Sequence, residues 1–357
     1  MRRLSVIGVT SGLVIACSAF GLAPASAATA VGLEGVPHFD HIVVLTEENE
    51  SASTTFGAGS PATYLNSLRA QGVFLPNYYG TGHVSLDNYV AMVSGQPPQP
   101  LTMSDCSTVS LWTCVQGQSL LGSGRNLADQ LESAGVGWKS YQDGTATPCF
   151  HGPYVAGDTT PDPDQGDSTT GSMNYADRHN PFIYFTDVIE NQPRCDAHQR
   201  PFTDLSTDLA AGTLPAFAFI TPDTCHDGHD NPCAGLTTGG LSAADAWLSN
   251  NLPPLLSYLA ANNGLLVINF DEASTPTTGI SPTLSDISCP ACAGLGLGGR
   301  TGALLISPRL PQGSTVSTTY DHYSLLRTIE DSFGISEHLN LATAATAMTD
   351  AFAGTAP

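Results

Sequence analysis

Apolar runs of strand length recur along this chain and alternate with amphipathic stretches of helix length. The runs cover residues 41–46, 138–141, 217–220, 265–270 and 303–306. Continuous apolar runs are typical of parallel strands buried on both faces, and the helices between them make the crossovers that parallel strands need. The pattern predicts an α/β fold, built on a mainly parallel sheet with helices on both faces.

The helical stretches are bounded by ordinary start and stop residues. Pro61 begins one that ends near Gly72, and another runs from about Ser85 to Gly95. Further helices are expected at 125–134, 243–261 and 322–333. Residues 144–181 are rich in Asp, Thr, Pro and Gly and lack periodicity, which predicts a loop-rich insertion at about 100–235. We expect residues 28–357 to form a single domain.

The amino terminus has the pattern of an export signal. Arg2 and Arg3 precede an apolar stretch that ends at Ala25-Ser26-Ala27, so residues 1–27 are interpreted as a signal peptide. The alternative is a lipoprotein cleavage site at Cys17. No later segment is apolar enough for a transmembrane span, so we expect a secreted, extracellular protein with no stable membrane anchor.

Eight cysteines follow the predicted signal peptide, and an even number in an exported protein predicts four disulfides. The sequence does not fix the pairing. The most local solution joins Cys106 to Cys114, Cys225 to Cys233, Cys289 to Cys292 and, by remainder, Cys149 to Cys195. A zinc or redox site at Cys289 and Cys292 is the competing interpretation.

The charge of the chain restricts its partners. The formal net charge is −21, and Lys139 is the only lysine. Nucleic acids and anionic membrane surfaces are therefore poor partners. A site for an anionic substrate would need a metal ion, backbone amides or histidines.

Acidic side chains follow three of the predicted strands. Glu48 and Asn49 follow the first, Asp223 follows a later one, and Asp271 and Glu272 follow another. The carboxyl ends of parallel strands share one edge of the sheet, where unpaired anions repel unless a cation lies among them. These residues predict a divalent metal site. Taken alone, Asp271 and Glu272 are as typical of a turn or helix cap as of a ligand pair, and Asn49 is more often a loop residue.

The sequence HDGHD at 226–230 adds nitrogen and oxygen donors near Asp223. A solvated loop closed by a disulfide between Cys225 and Cys233 would have the same sequence. His322 is similarly ambiguous, since a histidine at a helix start is more often structural than a ligand. An oxygen-rich set favours calcium, magnesium or manganese, whereas Asp223, His226 and His322 together would accept zinc or iron.

Ser85 precedes an amphipathic run, which suits the amino-terminal cap of a helix. A helix amino terminus also binds phosphate through its free N–H groups and dipole, so Ser85 can be a nucleophile as well. Asn88 lies one turn later on the same face, where its amide could donate to a phosphoryl oxygen.

Five stretches in chain order resemble the signatures of a known family: HIVVLTEENES, TGHVSLDNYVAMVSGQ, HDGHD, VINFDEAS and YDHYSLLRTIEDSFG. They are similar to the phosphoesterase family of secreted acid phosphatases and bacterial phospholipases C, over about residues 38–336. The resemblance implies the fold of the alkaline phosphatase superfamily, in which a Ser or Thr at a helix amino terminus attacks phosphorus beside metal ions.

The resemblance also assigns roles to matching positions. The implied catalytic residues are Ser85, Asn88, His83 and His226. The implied metal ligands are Glu48, Asn49, Asp227, Asp271, Glu272 and His322, to which the strand-end position adds Asp223. Relatives usually have proline at the positions of Val84 and Asp87, and many have Arg at Glu50.

The resulting expectation is a metal-dependent acid phosphatase acting through a phosphoserine. The cofactor would be calcium, magnesium, manganese or zinc, and the substrate a small phosphate ester or phospholipid headgroup. The alternatives are a phospholipase C or other phosphodiesterase on the same site, and an exported binding protein with structural calcium and no catalysis.

Overall fold

The computed structural model describes residues 1, 32–116, 124–158, 160, 174–233, 237–274 and 297–354. The predicted signal peptide and the pair Cys289 and Cys292 lie outside these ranges.

Ten strands are found among the described residues. Eight form one sheet in the order β5-β4-β6-β1-β7-β8-β2-β9, and β3 pairs with β10 in a small second sheet. Their bounds are β1 His41–Glu47, β2 Gly72–Leu75, β3 Tyr78–Tyr79, β4 Trp138–Gln142, β5 Gln199–Pro201, β6 Phe217–Thr221, β7 Gly264–Phe270, β8 Ala303–Ile306, β9 Ser314–Thr315 and β10 Tyr320–Asp321.

The main sheet is mostly parallel. β1 runs parallel to both β6 and β7, and β4 runs parallel to β5 and β6. β8 is antiparallel to its neighbours β7 and β2. The predicted fold class is therefore confirmed.

The α-helices lie between the strands, and the five predicted ones are present with slightly shorter or longer bounds. The helices are α1 Ala52–Thr55, α2 Thr63–Leu68, α3 Ser85–Ser94, α4 Leu111–Cys114, α5 Leu127–Ser133, α6 Thr186–Ile189, α7 Gln192–His198, α8 Thr203–Ala211, α9 Gly240–Ala261 and α10 His322–Ser332. Gly95 ends α3 with a φ of 67°, a left-handed conformation that favours glycine.

Alternate residues of β1 pack against helices on opposite faces of the sheet. Ile42 and Val44 join the core that contains α3 and α10, whereas Val43 and Leu45 join the core that contains α2 and α9. This two-sided burial explains why β1 is apolar without alternation. It also fixes the amino end of α3 near the carboxyl end of β1.

Three of the predicted disulfides are present among the described residues: Cys106–Cys114, Cys149–Cys195 and Cys225–Cys233. Each closes a loop in the predicted insertion. Within the same ranges, no helix combines the length and the apolar character needed to cross a membrane.

Candidate active site

The acids that follow β1 and β7 meet at one edge of the sheet. These parallel strands are in register, with Glu47 opposite Phe270, so the next residues on each strand are neighbours. The backbone N–H of Asn49, the residue after Glu48, donates to Oδ1 of Asp271 at 2.9 Å. The structure thus brings the ends of the two strands that carry Glu48 and Asp271 together, while the role of these acids as metal ligands stays a prediction.

Asn49 has a conformation suited to this corner. Its φ is 52°, a left-handed value that Asn tolerates better than most residues. This bend directs its side-chain Nδ2 to Oε2 of Glu48 at 3.1 Å. Asn49 therefore contacts both acids, through its backbone and its side chain.

Ser85 contacts the same acid from the helix side. Its Oγ donates to Oε1 of Glu48 at 2.5 Å and lies 3.2 Å from Oε2. The expectation that Ser85 caps the helix is wrong, because Val84 occupies the cap position and makes no side-chain cap hydrogen bond. The N–H of Leu86 is instead satisfied by Oδ1 of Asp105 at 2.9 Å. The Ser85 hydroxyl is thus committed to Glu48.

Asn88 braces the loop before Ser85. Its Oδ1 accepts from the backbone N–H groups of Thr81 and Gly82, at 2.7 and 3.0 Å, and from the Thr81 hydroxyl. Its Nδ2 donates to the carbonyls of Gly82 and Val84. This differs from the expected contact with a phosphoryl oxygen, since both ends of the amide already have protein partners.

His83 is paired with Glu272. Nδ1 of His83 lies 2.9 Å from Oε2 of Glu272. The hydrogen bond to Glu272 raises the pKa of His83, while burial raises the pKa of Glu272 to about 7 although His83 acts against it. His83 is half-buried, so its imidazole lies beside the acidic cluster with access to solvent.

His179 and Asp227 approach Glu48 from the insertion. Nε2 of His179 lies 3.4 Å from Oε2 of Glu48, and its Nδ1 lies 3.6 Å from Oδ2 of Asp227. Burial lowers the pKa of His179 to about 3, so the ring is neutral. Sequence reasoning selected Asp227 and missed His179, which lies at the end of the aperiodic segment 144–181. The one local feature that marks His179 is the sequence Arg178-His179-Asn180-Pro181 at the end of this segment.

His322 lies beside the site with both ring nitrogens engaged. Nδ1 is 2.9 Å from the hydroxyl of Tyr78, and Nε2 is 2.6 Å from the backbone carbonyl of Asp271. Burial lowers its pKa to about 4. This differs from the predicted arrangement, in which a nitrogen of His322 binds a metal ion. A neutral His322 instead links Tyr78 to the end of β7.

Asp223 and His226 belong to a separate group. Nδ1 of His226 lies 2.7 Å from Oδ1 of Asp223 and 3.9 Å from Oδ2 of Asp143. Asp143 and Asp223 follow the adjacent strands β4 and β6. The expected trio of Asp223, His226 and His322 is therefore not assembled. His322, the first residue of α10, contacts the carbonyl of Asp271 after β7 instead. Asp143 was not identified from the sequence.

Asp87 stands at a position where relatives in the resembled family usually have proline. Its buried carboxylate packs against the loop at Gly82. Both carboxylate oxygens lack a hydrogen-bond partner, and a Cβ added to Gly82 would lie 2.2 Å from one of them. Burial, with the nearby charges of Glu272 and Asp105, raises the pKa of Asp87 to about 8. A side chain at position 82 would therefore have to displace the carboxylate of Asp87.

The electrostatics of the cluster suit a bound cation. Burial would raise the pKa of Glu48, but the nearby side chains of His179, Asp271, His229 and Arg178 lower it to about 2. Burial and the Glu48 charge raise the pKa values of Asp271 and Asp227. Oδ2 of Asp271 and Oδ2 of Asp227 are buried without a hydrogen-bond partner. Acids with free oxygens in this arrangement fit a divalent metal ion.

Comparison with known proteins places the chain in a family. Residues 58–336 match the Phosphoesterase family, and the chain belongs to that family. The matched region includes Ser85, Asp227 and Asp271, and Glu48 lies just before it.

Two relatives and one solved structure illustrate the range of similarity. A probable acid phosphatase of Kluyveromyces lactis is 31% identical over 74% of this chain and 52% of its own length. The chain thus spans about half of that relative. A phosphatidylinositol-3-phosphatase of Mycobacterium tuberculosis is 27% identical over 98% of this chain and 93% of its own.

The fold is similar to that of a solved protein in the alkaline phosphatase superfamily. A protein of this superfamily from Vibrio parahaemolyticus aligns with a TM-score of 0.50 and 14% identity, over 86% of this chain and 70% of its own. At this identity the likeness concerns the fold alone.

Proposed function

We propose that this protein is a secreted, metal-dependent phosphatase that hydrolyses phosphate monoesters through a phosphoserine at Ser85. The observation that carries the proposal is the contact between Ser85 Oγ and Glu48 at the first residue of helix α3. A hydroxyl at a helix amino terminus, beside acids that follow two parallel strands, has the surroundings that an attack on phosphorus requires.

The proposed cofactor is a divalent metal ion held by Glu48, Asn49 and Asp271, with the hydroxyl of Ser85 beside it. The unpartnered Oδ2 of Asp271 supports this assignment. When bound, such an ion lowers the pKa of a coordinated hydroxyl and neutralises phosphoryl charge. A ligand set of oxygen atoms favours calcium, magnesium or manganese, whereas a set that includes a histidine nitrogen favours zinc.

The residues of the chain divide the reaction between them. Glu48 accepts a hydrogen bond from Ser85 and so orients Oγ for attack. The hydroxyl proton of Ser85 passes to Glu48 as Oγ forms its bond to phosphorus and the bond from phosphorus to the alcohol breaks, and His83 gives its proton to the departing alkoxide. Glu272 orients His83 through the bond at Nδ1 and favours its protonated form. Water then attacks the phosphoserine and gives one proton back to His83, while Ser85 Oγ regains the proton held by Glu48 and phosphate leaves.

A monoester substrate is favoured by the relative that matches over nearly its whole length, which is named a phosphatidylinositol-3-phosphatase. The substrate class we propose is a small phosphate ester or a phosphorylated lipid headgroup. Secretion is supported by the signal-like residues 1–27 and by the disulfides of the insertion.

Turnover of p-nitrophenyl phosphate and of bis(p-nitrophenyl) phosphate, each with and without a chelator, tests the proposal. We expect hydrolysis of the monoester that stops on chelation and returns with added metal. Faster hydrolysis of the diester would indicate a phospholipase C or another phosphodiesterase. No turnover of either, together with a calcium-dependent melting temperature, would indicate the binding protein.

A further inference from the structure

A short 3₁₀ turn of the insertion brings Arg178 to the edge of the acidic cluster. The turn covers Asp177–His179, and both of its outer residues are buried. Nε2 of His179 lies 3.4 Å from Oε2 of Glu48. Successive side chains of a 3₁₀ helix point roughly 120° apart, since the helix has about three residues per turn. Arg178 therefore points in a different direction from its buried neighbours, and it is only half-buried.

The structure holds this turn in a fixed position. The backbone carbonyl of His179 accepts from the hydroxyl of Thr221, the last residue of β6, at 3.1 Å. The ring of His179 stacks on Tyr89 of α3, with centroids 5.1 Å apart and planes inclined by 13°. The backbone of Arg178 is thus fixed relative to β6 and to the helix that carries the proposed nucleophile.

The charge of Arg178 acts on three acids from separate segments of the chain. Burial raises the pKa values of Glu48, Asp105 and Asp227, and the Arg178 charge opposes this effect at all three. Asp105 accepts from the N–H of Leu86 at the amino end of α3. Because Coulomb interactions weaken with distance, one guanidinium influences all three acids only from near the place where their segments meet.

The other basic side chains of the described residues are committed to different partners. Carboxylates pair with Lys139, Arg125, Arg194, Arg200 and Arg327. Arg69 packs over the ring of Phe74, while Arg300 and Arg309 donate to backbone carbonyls. In a chain with a net charge of −21, Arg178 is therefore the arginine placed to attract an anion to this site.

The geometry of phosphoryl transfer places the alcohol of the substrate on the open side of the site. Ser85 is 5% exposed, and Glu48 behind it is fully buried. The attacking and leaving oxygens lie roughly in line across phosphorus. A phosphoryl group in contact with Ser85 therefore directs its alcohol away from the buried acids and toward solvent, where the half-buried Arg178 lies.

We propose that Arg178 is a specificity-determining residue that binds a second anionic group, a carboxylate or a further phosphate, on the alcohol portion of the substrate. The planar guanidinium can donate two parallel N–H bonds to either group. Without a cation here, the acidic cluster would repel such a group. The inference rests on the proposed function, which requires only that a phosphate monoester is hydrolysed.

His229 is the rival donor beside the same acids. Like Arg178, it opposes the effect of burial on the pKa values of Glu48 and Asp105. Its backbone N–H donates to Oδ1 of Asp227 at 3.0 Å, but its ring already lies 3.4 Å from Oδ1 of Asp230. Arg178 is the stronger candidate because its forked side chain keeps its charge at every working pH.

Two pairs of substrates test the proposal, and the members of each pair differ only in the second anionic group. Phosphoglycerate is compared with glycerol phosphate, each esterified at the terminal carbon, and fructose bisphosphate with fructose phosphate. We expect the wild type to have the higher kcat/KM for the anionic member of at least one pair. The pair that responds distinguishes a carboxylate from a phosphate.

The Arg178 variants then assign this preference to a residue. Arg178→Ala should lower kcat/KM for the preferred anionic substrate by about 10- to 100-fold, the usual effect of losing a hydrogen bond between charged groups. The loss for its neutral counterpart should be much smaller. Arg178→Lys keeps the charge without the fork and should retain part of the preference. Equal losses on both members of the pair would show a structural role and overturn the proposal.

Two further variants are the controls. Arg125→Ala removes an arginine whose side chain is 50% exposed and pairs with Glu337, and it should leave the preference unchanged. His229→Ala should keep the preference as well, and its loss in this variant but not in Arg178→Ala would overturn the proposal in favour of His229. A wild type that hydrolyses glycerol phosphate but prefers neither anionic substrate would overturn it too, while leaving the proposed function standing. Failure to hydrolyse any of these esters or p-nitrophenyl phosphate would overturn both.

Discussion

The hydroxyl of Ser85 lies 2.5 Å from Oε1 of Glu48, and this contact joins helix α3 to the end of strand β1. Glu48 also accepts a hydrogen bond from Asn49, whose backbone N–H donates to Asp271, and it lies 3.4 Å from His179. One buried carboxylate therefore links the proposed nucleophile to the end of strand β7 and to His179 of the insertion. The account of function depends on this arrangement, and the predictions below test its parts.

Asn88→Ala should lower both stability and activity. The amide of Asn88 bonds to Thr81, Gly82 and Val84, so its loss leaves buried backbone groups unsatisfied at a cost of about 1–3 kcal/mol for each uncompensated group. The free energy of unfolding, measured by chemical denaturation, and the rate of monoester turnover should therefore both decrease. Loss of turnover with unchanged stability would return Asn88 to the role of a phosphoryl ligand.

His83→Gln should impair substrates according to their leaving groups. An alkyl alkoxide needs a proton from the enzyme, whereas p-nitrophenolate leaves readily without one. We expect a loss of about 10²- to 10⁴-fold with glycerol phosphate, and a much smaller loss with p-nitrophenyl phosphate. Steady-state kinetics on both esters measure the ratio, and equal losses would exclude His83 as the general acid.

The mature protein should contain no free thiol. Six cysteines form the disulfides of the described residues, and the sequence predicts a fourth between Cys289 and Cys292. Thiol titration of denatured, unreduced protein checks this bridge. Two reactive thiols would favour the alternative of a metal or redox pair at these positions.

Stability should fall as the pH rises from about 4.5 to about 8, in part because of Glu330. Burial raises its pKa from 4.5 to about 8. The folded state therefore holds a proton that the unfolded state releases, and each pKa unit corresponds to about 1.4 kcal/mol. Glu330→Gln keeps an acceptor for the N–H of Leu339 and should flatten this dependence in urea unfolding. An unchanged slope would show that Glu330 does not titrate in this range.

The sequence predicts the central strands and main helices because burial on both faces leaves a strong apolar signal, as in β1 and β7. The short strands β3, β9 and β10 have two residues each, too few for any periodicity. These strands are stabilised by pairing with residues distant in sequence, which a local sequence pattern cannot predict.

The site was only partly predictable for a similar reason. Glu48 and Asp271 follow recognisable strands, so topology alone brings them together. Asp143 also follows a predicted strand but was not selected from the sequence. His179 lies near the end of the aperiodic segment 144–181, and its position depends on how that segment returns to the sheet. The cap assignment of Ser85 failed because the helix begins at Ser85 itself and its hydroxyl donates to Glu48, distant in sequence.

Replacement of Ser85 by alanine tests the central claim most directly. The variant should lose at least about three orders of magnitude in monoester turnover, because the atom that attacks phosphorus is gone. Its stability should change by about 1 kcal/mol, the usual worth of one hydrogen bond, since Ser85 does not cap its helix. Ser206→Ala, which removes an exposed hydroxyl on α8, is the matched control and should retain full activity. A folded Ser85→Ala protein that keeps more than about a tenth of wild-type turnover would contradict the account, because the loss of a nucleophile is expected to reduce turnover far more. Thr81 would then be the next hydroxyl to test.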